Sequence, residues 1–501
     1  MTQVAARHPV PPGPSPARLM EEPATNSSPS ARHLPPLALA AVLSGWAVFT
    51  AWCVSGFPPP VDLAAHGAQL QTLVALLRGD RAVTAVYEIH FPLGYGLVYW
   101  LFLPLAFLTN GAIAAKAALW LTLQLFPLSQ LVLLRAFRRP DWLVLVGLPL
   151  AFNFSYWYGL LSGLFAQPLM FFALAAFQRA LQSRQARHLI WINLLAAATM
   201  QSHLLAFVAL AVAICALAFA HPPRSQSLRL AALSLLLPGA LSLPKVWAMA
   251  VRALTPGPWP ATSYGATAHF IWFLRNYRPE GFLAAWGPLL VSAVFVALYL
   301  RRRRAEPAAP AAMFAALLAL YFLTPKTLSG IFLVCVRLPV LAGMISLLLV
   351  GENALSRQLK IGLLAVSLAS LAQTAVFHHR FARAVAGLED MLTGPAPERH
   401  GYWSLAGSQV LGSRMIYLEH LGQWWTAMRG GVGHNFFADA EHHPVRFRPG
   451  RELPASLLLA TPAELSAFNQ VLLYGDGQVP WRLRDWREIA RAGAWRKLAR
   501  P

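Results

Sequence analysis

The stretch LALAAVLSGWAVFTAWCVSGFPPPVD, which runs from Leu37 to Asp62, decides how the whole chain folds. Its first part, Leu37–Val54, carries no charge and approaches the length of about 20 apolar residues that a membrane-spanning helix needs. Three consecutive prolines at 58–60 then stiffen the backbone, because each proline ring fixes φ. The sequence therefore predicts a spanning helix, followed by a carboxylate that rigid backbone holds at the membrane surface.

The composition of the 501 residues extends this pattern along the chain. Only 12% of the residues are charged, whereas soluble proteins carry about 25%. Residues 1–377 contain 26 Lys and Arg and 9 Asp and Glu, whereas residues 378–501 contain 15 and 11. We therefore predict an α-helical polytopic membrane protein with about 11 transmembrane helices and a small C-terminal α/β extracytoplasmic domain.

The net charge of +21 comes from short arginine clusters between apolar runs, including Arg135–Arg139, Arg179–Arg187 and Arg301–Arg304. Nucleic-acid-binding proteins gather such residues on one folded face, so we predict membrane lipids as partners and no nucleic acid. The segment Phe91–Leu108 decides the topology. If it crosses the membrane, the clusters fall on both sides; if it lies in the interface, all of them are cytoplasmic. Its two prolines and the positive-inside rule favour the second alternative, which places the N-terminus in the cytoplasm.

Four segments follow from this topology. Residues 1–34 are predicted to be a disordered cytoplasmic tail, residues 35–377 the transmembrane domain, and residues 378–501 the extracytoplasmic α/β domain. Within the transmembrane domain, residues 56–111 form the first external loop, which contains interfacial helices.

Hydrophobic periodicity predicts several local elements. The run Leu189–Ala220 is too short for two full spans, so two short helices are expected to meet near Gln201–His203. In the C-terminal domain, Asn469–Tyr474 and Trp495–Leu498 are predicted as strands and Leu483–Ala492 as a helix.

Asp62 is the most informative acidic residue. It is placed to N-cap a predicted helix over Leu63–Leu77, and His66 and Gln69 share its face of that helix. One interpretation is a capping aspartate beside a surface histidine. The other is a general base at the water–lipid boundary, with His66 orienting it or binding a substrate phosphate.

Three cations, Lys245, Lys326 and Arg337, lie within or at the ends of apolar runs. A charge at mid-bilayer costs at least about 2.5–3.5 kcal/mol, and the few acids of this region supply no evident partner. A lipid phosphate would neutralise these cations, and Arg337 would bind it in bidentate fashion. The alternative is that the side chains extend to the interface.

Other polar residues are expected to be structural. His203 and Gln201 are expected to form a polar pair in the core. The alternative is that they line the cavity in which the cations would bind the lipid phosphate. His434, His442 and His443 lack a carboxylate or cysteine at metal-ligand spacing, so we expect surface histidines and no metal cofactor.

The order of these features resembles a known superfamily. An external loop follows the first span and contains the early acid in Val61–His66, an amphipathic helix, and then the aromatic and proline-containing segment Tyr87–Tyr95. This order is similar to the first external loop of the GT-C membrane glycosyltransferases, which use polyprenyl-phosphate-linked sugars. The segments Asn153–Gly159 and Arg429–Gly450 look like those of an uncharacterised bacterial branch.

The resemblance implies a bacterial inner-membrane glycosyltransferase that transfers a sugar from a polyprenyl-phosphate donor to an extracytoplasmic acceptor. Asp62 would be its catalytic residue, while the substrate-binding residues would be His66, Glu88, His90, Lys245, Lys326 and Arg337. Many GT-C enzymes have a second acid in the next external loop, and the corresponding segment Phe152–Gly163 has none. This departure puts a metal-dependent site in doubt. It leaves open a non-catalytic protein on the same scaffold, acting in lipid handling, flipping or assembly.

Overall fold

The computed structural model describes residues 33–91, 94–183, 185–254, 282–303, 306–325, 335–351, 355–394, 397–405, 416–433, 443–454 and 460–501, together with Ala438 and Leu457. Of the predicted disordered tail 1–34, all but the last two residues lie outside the described residues, and Lys326 lies outside them too.

Five described helices are long and apolar enough to cross a membrane. The helices up to the middle of the chain are α1 (Pro36–Val54), α2 (Leu63–Leu77), α3 (Arg81–Thr84), α4 (Leu97–Leu108), α5 (Gly111–Ala136), α6 (Leu143–Gly147), α7 (Phe154–Tyr158), α8 (Leu161–Ser183), α9 (Ala186–Ser202), α10 (Leu204–Ala220) and α11 (Arg224–Leu254). The candidate spans are α1, α5, α8, most of α11, and α15 (Arg357–Ala384). The polytopic helical fold is thus confirmed, while the number of eleven spans stays a prediction.

The remaining helices are α12 (Phe282–Arg302), α13 (Ala308–Leu323), α14 (Pro339–Ser346), α16 (Leu388–Met391), α17 (Gln423–Arg429) and α18 (Pro462–Leu465). The chain has several breaks in its helices. The break between α9 and α10 falls at His203, as the sequence predicts. The segment between residues 143 and 158 is also broken, because the 3-10 turn Leu148–Phe152 separates α6 from α7. Broken helices are tolerated at membrane depth where they line protein rather than lipid.

The C-terminal residues form a mixed five-stranded sheet of order β3-β2-β5-β7-β6. Its strands are β2 (Arg399–Ser404), β3 (Val432–Gly433), β5 (Gln470–Tyr474), β6 (Arg487–Ala492) and β7 (Trp495–Ala499). The strands predicted at 469–474 and 495–498 are confirmed. The helix predicted over Leu483–Ala492 is wrong, because β6 instead pairs antiparallel with β7 around Gly493, whose φ is +55°. Long-range pairing thus overrides the local periodicity.

The C-terminal region, residues 397–501, is packed against the loop between α1 and α5. Strand β1 (Tyr87–Ile89) of that loop pairs antiparallel with β4 (Val445–Phe447) of the C-terminal region, which is called the tail domain below. Helix α17 packs on α2 and α5, and the Gln69 side chain accepts a hydrogen bond from the Val445 amide at 3.1 Å. Residues far apart in sequence therefore meet beside the N-terminus of α2.

Candidate active site at the N-terminus of helix α2

Asp62 is held by the backbone of the segment that precedes α8. Its amide donates to the Tyr158 carbonyl at 3.0 Å, and the Val61 amide donates to the Trp157 carbonyl at 3.1 Å. Gly159, at φ +79°, makes this approach possible, because a Cβ there would lie 2.5 Å from the Asp62 nitrogen. Two segments singled out in the sequence, Val61–His66 and Asn153–Gly159, are therefore in direct contact.

The Asp62 side chain does not cap α2, although the residue occupies the N-cap position. The residue is 5% exposed, and its Oδ1 lies 3.4 Å from Nε2 of His420. Burial raises the pKa of this loop carboxyl well above its usual value, while the charge of Arg337 opposes the rise and that of Glu419 adds to it. The capping interpretation is thus wrong for the side chain, whereas Asp80 does cap α3 through the Ala82 and Val83 amides.

Arg337 lies in the 3-10 turn Cys335–Arg337 and points its guanidinium toward the break between α9 and α10. One Nη donates to Nε2 of His203, whose ring packs edge-on against Tyr95 at 4.8 Å between centroids. The Arg337 Nε is buried and has no hydrogen-bond partner among the described residues. A buried donor of this kind carries a desolvation cost until an acceptor reaches it.

His66, Tyr99 and His443 form a separate chain of hydrogen bonds near Asp62. The Tyr99 hydroxyl lies 2.5 Å from Nδ1 of His66 and 3.0 Å from Nδ1 of His443. A phenol has one proton to donate, so it donates to one imidazole and accepts from the other. His66 is therefore engaged with Tyr99, and the expectation that His443 lies at the surface is wrong, because it is 7% exposed.

The other predicted site residues lie elsewhere. Glu88 is in β1 and pairs with Arg446 of β4 at 2.6 Å, and the backbone amide of His90 donates to the Pro444 carbonyl. Lys245 is half-buried in α11, which packs against α8, α9 and α10. Lys326, His434 and His442 lie outside the described residues.

His420, Glu419 and Tyr158 are the neighbours of Asp62 that the sequence does not reveal. His420 and Glu419 lie in the tail domain, where no local pattern relates them to the first loop. In the described ranges, no group of three or more His, Cys, Asp or Glu side chains is arranged to hold a metal ion.

Comparison with solved structures assigns the fold. The crystal structure of ArnT from Cupriavidus metallidurans bound to undecaprenyl phosphate superposes with a TM-score of 0.53 at 11% identity, covering 93% of this chain and 98% of that one. No family model and no curated protein matches the sequence. The likeness shows a shared fold, in agreement with the predicted GT-C-like architecture, and the five candidate spans agree with a multi-pass membrane protein.

Proposed function

We propose that this chain is a membrane glycosyltransferase that transfers a sugar from a polyprenyl-phosphate donor to an acceptor outside the cytoplasm. The observation that carries the proposal is the position of Asp62 next to His420 and within the electrostatic influence of Arg337, with its carboxylate free of the capping role. The ArnT structure, which contains undecaprenyl phosphate, supports a lipid-phosphate substrate for this fold. We place the protein in the bacterial inner membrane, with the N-terminus in the cytoplasm.

In this mechanism Asp62 accepts the proton of the acceptor hydroxyl. The hydroxyl oxygen then attacks the anomeric carbon, and the bond from that carbon to the phosphate oxygen breaks. The polyprenyl phosphate leaves with the bonding electron pair, and the anomeric configuration is inverted by the direct displacement. A carboxyl whose pKa is raised by burial is a stronger base than one in water once it is ionised.

In this proposal Arg337 binds the donor phosphate. Its unsatisfied Nε and the remaining guanidinium hydrogens match phosphate oxygens in geometry and charge. The bond to His203 fixes one edge of the guanidinium plane and leaves the other for the ligand. The segment Phe152–Gly163 lacks the second acid that many GT-C enzymes have there. Glu419 from the C-terminal region instead supplies a carboxylate whose charge acts on Asp62.

The test is an Asp62→Asn variant in a strain from which the gene has been deleted. Asn keeps the shape of the side chain and removes the proton acceptor, so expression should stay normal while turnover falls by roughly 10²–10⁴-fold. Extracted glycolipids and surface polysaccharide are compared with those of the strain complemented by the intact gene. Asp80→Asn is the matched control, because Asp80 caps α3 and Asn caps about as well as Asp. Equal glycan product from the Asp62→Asn and intact proteins would favour the non-catalytic scaffold.

A further inference from the structure

A cavity with a mostly apolar lining and a few polar side chains lies at the other end of the helical bundle. It has a volume of about 400 Å³ and is formed where α5, α8 and α10 end and α13 begins. Asp62 and His203 lie near the starts of α8 and α10. Since α8 has 23 residues and a helix rises about 1.5 Å per residue, the cavity is roughly 30 Å from the candidate active site.

Three side chains of this cavity have unused hydrogen-bonding capacity. Arg138 lines the cavity, is exposed, and forms no ion pair with any described residue. Oε1 of Gln178 and Nδ1 of His221 are buried without a hydrogen-bond partner in the described part of the chain. Buried polar atoms are normally satisfied, so the Gln178 and His221 atoms call for a partner that the described residues do not supply.

The cavity is also electropositive once its neighbouring ion pair is counted. Arg139 and Glu306 neutralise one another at 3.4 Å, and Glu306 also accepts from the Gly351 amide at 3.0 Å. The positive charge of Arg138 remains. Arg138 is moreover the non-glycine residue that the described backbone holds at positive φ, at 54°. The Arg138 and Arg139 amides donate to the Arg135 and Leu134 carbonyls, so this conformation is the left-handed end of α5, which glycine and asparagine also adopt.

We propose that this cavity binds the headgroup of an anionic phospholipid from the adjacent leaflet. The phosphate would lie between the Arg138 guanidinium and the Nδ1–H tautomer of His221. A hydroxyl of the headgroup would donate to Gln178 Oε1, so phosphatidylglycerol has the matching chemistry. Basic pockets between transmembrane helices on the cytoplasmic side are suited to such headgroups.

His221 also lines a second cavity, of about 510 Å³, between the end of α8 and the starts of α9 and α11. Leu181, Leu189, Leu230 and Leu233 are among its walls, and these side chains suit an acyl chain. A headgroup on one side of His221 and a hydrocarbon chain on the other would account for both cavities with one lipid.

The experiment uses the full-length protein in a non-ionic detergent. Native mass spectrometry measures the binding of dioctanoyl phosphatidylglycerol, with dioctanoylglycerol and inorganic phosphate as separate arms. Arg138→Gly and Arg138→Asn both remove the charge, and both residues suit the left-handed backbone, so the melting temperature should stay equal or rise. We expect each variant to bind the phospholipid about tenfold more weakly, because a hydrogen bond to a charged group is lost.

Arg303→Gln is the control, because Arg303 is an exposed cation just after α12 that does not line the cavity. It should leave binding within about twofold of the intact protein. Unchanged binding in both Arg138 variants would overturn the proposal, as would an equal loss in Arg303→Gln, which would indicate surface charge alone. Inorganic phosphate binding as tightly as the phospholipid would overturn the lipid assignment. None of these measurements depends on glycosyl transfer.

Discussion

The Asp62 carboxylate lies 3.4 Å from the imidazole of His420, a residue of the tail domain. This contact joins the loop between α1 and α5 to the C-terminal region and makes that region a component of the candidate active site. Glu419, the preceding residue, adds a second negative charge to the surroundings of Asp62 and helps to raise the pKa of its carboxyl. Loss of the tail should therefore disturb the base itself as well as the stability of the protein.

The first prediction concerns Arg337 and the donor phosphate. Arg337→Leu removes a cation whose Nε is buried without a partner in the described residues, so the protein should express normally but lose binding of undecaprenyl phosphate. Arg337→Lys should retain part of the binding, because lysine keeps the charge but cannot make a bidentate contact. The measurement is retention of added undecaprenyl phosphate by purified protein. Normal retention by a well-folded Arg337→Leu protein would contradict the role.

The second prediction concerns the close approach of Gly159 to Asp62. Gly159→Ala introduces a Cβ 2.5 Å from the Asp62 nitrogen at a φ of +79°. The control is Gly79→Ala, which has a similar φ of +74° but no atom within 4 Å of the new Cβ. Both variants carry backbone strain of about 1 kcal/mol, so the additional loss in Gly159→Ala measures the clash. We expect a lower melting temperature and lower glycan product for Gly159→Ala alone, and equal melting temperatures would show that the contact is soft.

Much of the fold could be predicted because it depends on local pattern. The helix Leu63–Leu77 has the predicted bounds, since its apolar stripe begins directly after the prolines. The break at His203 was predicted from the length of the apolar run alone. Both are properties of a short window of sequence.

The candidate site could be predicted only in part. Asp62 and Arg337 stand out because charge is scarce around them, and the structure places them within electrostatic reach of each other. His420 and His443 could not be found in this way. Their burial depends on the packing of the tail against the first loop, through β1 with β4 and Gln69 with Val445, and such pairing leaves no local signal. Glu88 has an evident partner, Arg446, only once that pairing is known.

The third prediction concerns topology. Helix α4 has 12 residues, which at about 1.5 Å per residue is shorter than the roughly 30 Å hydrocarbon core. Reporter fusions after Arg139 and Arg187 should therefore report the cytoplasm, and a fusion after Gly394, beyond the end of α15, should report the outside. A fusion after Gly79 provides the external reference. An external signal after Arg139 would show that α4 and its flanking residues cross the membrane.

The last prediction is the effect of acid on the tail domain. His400 in β2 is 2% exposed, with Nε2 2.8 Å from the Thr426 hydroxyl and its ring 5.0 Å from that of Trp425. Burial lowers the pKa of His400 to about 3. Below a pH of about 6.5 the unfolded chain binds a proton that the folded chain does not. The folded state should therefore lose stability as the pH falls from about 6.5 toward 3, by at most about 1.4 kcal/mol per pH unit from this residue.

Melting temperatures of the full-length protein at pH 7, 6 and 5 should fall less steeply for His400→Gln, which cannot titrate, than for the intact chain. His379→Gln, at an exposed position of α15, should keep the slope of the intact protein. Parallel slopes for the His400→Gln and intact proteins would show that another group governs the loss of stability in acid.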